Sequence, residues 1–145
     1  MYLNFLYTLY QSIVAKALPV TCPRGKMSQL SLSFLGAPEV RSCGRILTFR
    51  TRKTLALLIY LAVTGGIHPR ERLTALFWPE SDELQGRAML RTTLARLRSA
   101  LDVALERSLL IVERDTLGFD ITSDVDLDLH TLEAAYALAS AQRDH

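Results

Sequence analysis

A chain of 145 residues with 49% hydrophobic content has room for one domain with extensions and enough apolar material for a core, which excludes a disordered chain. Its net charge of +2 hides a segregation: residues 1–26 carry three Lys/Arg and no Asp/Glu, residues 27–107 twelve against seven, and residues 108–145 two against eight. A basic middle points to a polyanion or an acidic partner, while the tail is acidic. Two cysteines, Cys22 and Cys43, match no CxxC spacing; neither a zinc site nor a disulfide framework is indicated, and a reduced cytoplasm is the default compartment.

The opening stretch, MYLNFLYTLYQSIVAKALPVTCPRGK, has an apolar run followed by Ala15-Lys16-Ala17, which resembles a secretory cleavage pattern. It lacks a positive n-region, and Asn4, Thr8, Gln11, Ser12 and Lys16 interrupt it. It is too short and polar for a span of about 20 apolar residues, so no membrane partner is expected. Residues 1–27 therefore read as a leader that need not belong to the true product, with Met27 as the candidate start.

From there the pattern changes at once. LSLSFLG (30–36) alternates at period two and reads as a strand, and EVRSCGRILTF (39–49) as two more, turning at Cys43-Gly44. RKTLALLIYLAVTGG (52–66) reads as a helix in which Leu55, Leu58, Ile59 and Ala62 recur at three- and four-residue steps, with Gly65-Gly66 as its stop; it is nearly apolar all round and so central. Pro69 suits the first turn of a second helix, PRERLTALFW, with Leu73, Leu76 and Phe77 on one side and Trp78-Pro79 closing it. The third helix starts near Ser81 or Asp82, where Asp82 and Gln85 are compatible with a capping box, and keeps its period to about Leu105. SLLIVER (108–114) and LGFDI (117–121), separated by Asp115-Thr116, form a hairpin. DVDLDLHTLEAAYALASAQ then passes from alternating aspartates into an alanine-rich helix.

RAMLRTTLARLR (87–98), inside the third helix, holds four arginines and no acid. Leu90, Leu94, Leu97 and Leu101 recur at steps of four, three and four and form one inward stripe. Gln85, Thr92, Arg96 and Ser99 project from the opposite side with Met89 and Thr93 beside them, and Arg87, Arg91 and Arg98 flank the stripe. Such a helix fits the major groove of double-stranded DNA, where arginine can donate two hydrogen bonds to guanine and flanking arginines can neutralise phosphates. Arginine-rich solvated faces also occur in ordinary helical bundles, because arginine is a good helix former.

In this order the LSLSFLGAPEV start, RKTLALLIYLAVTGG, HPRERLTALFWPE, RAMLRTTLARLRSAL and LGFDI resemble the OmpR/PhoB-type winged helix that opens BTAD/SARP-type bacterial transcriptional regulators. The resemblance covers about residues 28–122. It implies an α+β fold: a winged helix-turn-helix with an N-terminal antiparallel sheet, three helices and a C-terminal β-hairpin wing. It further implies sequence-specific DNA binding, with Thr92, Thr93 and Arg96 toward the groove, Arg87 and Arg98 on phosphates, and Arg114 and Thr116 on the wing. Glu113 and Asp115 bracket Arg114 and repel a phosphate backbone, so more of the binding is expected from the helix than from the wing. Gly86 departs from the better helix formers common at its position in relatives, at about 1 kcal/mol relative to alanine.

Residues 123–145 resemble the start of a truncated, BTAD-like helical domain. Asp124, Asp126 and Asp128 lack the glycine and glutamate of a calcium loop and read as solvated carboxylates near a helix N-terminus, so no metal is expected. No HExxH, GxSxG or P-loop accompanies His68, His130 and His145, so neither an enzyme, a cofactor nor a small-molecule ligand is indicated. RNA polymerase and a second copy of the chain are further candidate partners. The alternative is a protein-interaction winged helix that does not bind DNA.

Overall fold

The structure, a computed structural model, describes residues 30–105, 108–121 and 125–143; the expected leader lies outside them. Among the described residues it is a mixed α+β arrangement of four helices and two small sheets. Strand β1 (Leu30–Ser33) pairs antiparallel with β2 (Glu39–Ser42), which pairs antiparallel with β3 (Arg45–Ile46). The β2–β3 turn falls at Cys43-Gly44, with φ of 47° and 77°, the left-handed pair that a two-residue hairpin requires. Cys43 is disulfide-bonded, a correction to the expectation drawn from the cysteine spacing.

Helix α1 (Arg52–Thr64) begins at Thr51, whose hydroxyl accepts the Thr54 N–H at 3.2 Å, and stops where Gly65 and Gly66 turn to φ of 60° and 70°. Its fully buried residues are Thr54, Leu57, Leu58, Leu61 and Ala62, while Leu55 and Ile59 are half-buried. The helix is covered on more than one side because it packs on both α3 and the second sheet.

Strand β4 (Ile67–Pro69) has no counterpart in the sequence reading, and it moves Pro69 from the first helical turn to the residue before it. In helix α2 (Arg70–Phe77) Leu73 is buried and Phe77 packs on the core, but Leu76 is 53% exposed. Consecutive residues diverge by about 100°, and eight residues bury only a narrow face.

Helix α3 (Glu83–Asp102) is capped by Asp82, whose carboxylate accepts the Gln85 N–H at 2.8 Å, and it ends at Asp102, short of Leu105. A Cβ built on Gly86 would stand 3.4 Å from Thr74 Cβ, ordinary van der Waals contact, so the packing of α2 on α3 leaves room for a methyl group there.

Strands β5 (Leu110–Val112) and β6 (Thr116–Phe119) form a hairpin whose turn residues are Arg114-Asp115, with Thr116 already in the strand. The second sheet runs β4-β6-β5. Strand β7 (Val125–Leu127) then pairs parallel with β1, completing a first sheet of order β3-β2-β1-β7. Strand β7 lies beyond the expected boundary between residues 122 and 123 and pairs with a strand that precedes it. Val125 and Leu127 are buried, and Asp128 accepts the Phe34 and Leu35 N–H groups at 2.7 and 2.9 Å rather than standing in solvent; Asp126 is exposed. Helix α4 (Asp128–Arg143) packs Leu129 on the core and leaves Leu132, Tyr136 and Leu138 at 52%, 74% and 70% exposure. One contiguous, leucine-rich core joins both sheets to α1, α2 and α3. Among the described residues no helix is long and apolar enough to cross a membrane.

Candidate nucleic-acid interface

Leu90, Leu94, Leu97 and Leu101 are all buried, and at about 1.5–3 kcal/mol for each leucine side chain they anchor α3 firmly. The buried face is wider than the leucines. Thr93, three residues after Leu90 and four before Leu97, lies on it at 5% exposure, which corrects the expectation that its hydroxyl faces outward. Thr92 is exposed and donates its hydroxyl proton to the Ala88 carbonyl at 3.1 Å.

The positive side chains fall on both edges of the outer face. Arg87, Arg91 and Arg98 are exposed, whereas Arg96 is half-buried and so closer to the core than Arg98. Arg87 pairs with Glu83 one turn back at 2.6 Å. Among the described residues Arg91, Arg96, Arg98 and Arg114 form no ion pair, and none forms between Arg98 and Asp102.

On one edge, a cleft of about 480 Å³ lies between α3 and the β5–β6 turn. Arg70, Arg87, Arg91 and Arg114 line it, against only two carboxylates, Glu71 and Asp115. Arg70 holds the turn in place: its backbone N–H donates to the Asp115 carbonyl at 2.9 Å and its guanidinium to the Glu113 carbonyl at 2.9 Å. Thr116 is engaged inside the same turn, donating its hydroxyl to the Glu113 carboxylate at 3.0 Å. The four guanidinium groups outnumber the two carboxylates, so the cleft keeps a net positive charge that an anion seated there would offset.

On the other edge, an open depression of about 440 Å³ is lined by Lys53, Trp78, Gln85, Met89, Thr92 and Arg96, among others. The Lys53 ammonium sits 5.0 Å from the centre of the Trp78 ring and donates to the Phe77 carbonyl at 2.8 Å. Arg87, Arg91, Arg98 and Arg114 thus lie toward the hairpin side or its turn, and Thr92 and Arg96 on the depression side. Arg70, Lys53 and Met89 were not singled out as site residues from sequence. Arg70 and Lys53 enter only through tertiary packing, but Met89 sits beside Thr92 on the helix and its spacing was a usable signal. No protein-family model matches the chain, and its sequence matches no curated protein.

Proposed function

We propose that the chain is a double-stranded-DNA-binding module of a transcriptional regulator, a winged helix-turn-helix of the OmpR/PhoB type found at the head of BTAD/SARP-type regulators. In this reading α3 enters the major groove and the β5–β6 turn lies on the adjoining backbone. The observation that carries it is the outer side of α3: Arg91, Arg96 and Arg98, without ion-pair partners among the described residues, stand on a helix held from behind by four buried leucines, with a basic cleft beside it. Arg91, Arg98 and Arg114 then meet phosphates, Arg70 positions the turn, and Arg96 and Thr92 reach toward base edges.

The test is duplex binding by the full chain at several salt concentrations. Three phosphate contacts give a log–log slope of roughly −3, at about 0.9 counterion per contact. Absence of duplex binding at low salt removes the proposal, and the exposed leucines of α4 then favour the protein-interaction alternative.

A further inference from the structure

The depression beside α3 has the composition of a base reader rather than of a phosphate seat. Its middle is apolar, with Ala88, Met89 and the Trp78 ring among its lining. Its ends are polar and chemically distinct: Gln85 stands near the N-terminus of α3, and Arg96 three turns on. The two are separated by about 16 Å of helix at 1.5 Å per residue, close to the rise of five base pairs at 3.4 Å each. No carboxylate lines the depression, and Lys53 and Arg96 are its two cations. Arg87, Arg91 and Arg98 stand on the opposite edge of the helix. An apolar strip bordered by positive charge on both sides complements a duplex groove with its two phosphate backbones better than it complements an apolar peptide.

Resting on the DNA-binding reading, we infer that this depression selects a thymine-centred site. A thymine methyl group occupies the apolar middle, Gln85 pairs with an adenine edge through its N6 and N7, and Arg96 pairs with a guanine edge through O6 and N7. These are the pairings that an amide, a guanidinium and an apolar surface make in a major groove.

The experiment has two steps. First, the full chain selects from a library of randomised duplexes; the enriched sites carry an adenine and a guanine about five base pairs apart with a thymine between them. Second, that thymine is replaced by deoxyuridine, which removes only the methyl group. Affinity falls about fourfold, the change that burial of one such group supplies. In Met89→Ser the deoxyuridine and thymine duplexes bind alike, and in Gln85→Ala the adenine preference disappears while thymine is still selected. Enrichment of sites without the thymine, or deoxyuridine binding as tightly as thymine, overturns the inference while leaving DNA binding intact. Failure to enrich any duplex overturns the functional reading itself.

Discussion

One added methyl group should act with opposite sign at two buried glycines, Gly86 in α3 and Gly118 in β6. At Gly86 the new Cβ meets Thr74 Cβ at 3.4 Å and Thr74 Cγ2 at 3.8 Å, ordinary van der Waals contact with a side chain. Nothing there offsets the gain in helix propensity, so Gly86→Ala stabilises by about 0.5–1 kcal/mol. At Gly118 the same Cβ stands 2.8 Å from the Gly66 carbonyl oxygen, a backbone atom. Gly66 is held at φ of 70° and its neighbour Ile67 is paired with Gly118 across the sheet, so the oxygen cannot retreat without breaking that pairing. Gly118→Ala therefore destabilises by about 1–3 kcal/mol, the range for forced overpacking. For a domain of this size each kcal/mol moves the melting temperature by roughly 4–8 °C. Thermal denaturation followed by circular dichroism should raise Tm for the first variant and lower it for the second. Shifts of the same sign would refute the reasoning, since they would mean that propensity or crowding acts alone and the distances decide nothing.

Asp128→Ala removes a charged acceptor from two backbone donors and should cost about 2–4 kcal/mol in chemical denaturation, with near-normal stability expected in a variant that alters only the exposed Asp126. Arg98→Ala should leave the fold intact by circular dichroism and reduce the salt slope of duplex binding by roughly one counterion, because Arg98 is exposed and has no ion-pair partner among the described residues. Replacing Leu132, Tyr136 and Leu138 together by serine should leave Tm within about 2–4 °C per substitution and reduce light scattering at high protein concentration, since an uncovered apolar helix face promotes association.

Local signals made much of the fold legible. Leu90, Leu94, Leu97 and Leu101 announced the buried side of α3, Asp82 its start and Gly65-Gly66 the end of α1, because periodicity and capping act within a few residues. Elements defined by distant partners stayed hidden. Three residues ending in proline, Ile67–Pro69, become a strand only because β6 lies alongside. The DVDLD stretch drew attention to its aspartates, whereas its structural content is Val125 and Leu127, buried at period two against β1. Thr93 escaped notice as a buried residue because a polar side chain on the leucine face breaks the pattern that reveals that face. For the candidate site, the arginines of α3 could be named from sequence, but their division between a cleft and a depression follows from the packing of Arg70 and Lys53.

The parallel pairing of β7 with β1 sets an order of events in folding. Phe34 and Asp128, joined by a hydrogen bond, are 94 positions apart, with the helices and the hairpin between them. Loop closure across that distance is slow and entropically unfavourable until the intervening chain has condensed. On the ribosome, Leu30–Ser33 must wait with one edge open until residue 128 has emerged, so the first sheet is finished last. The α4 helix departs directly from that closing strand. Whatever pulls on α4 therefore pulls first on the seam at β1, and the seam is where this unit would open under load.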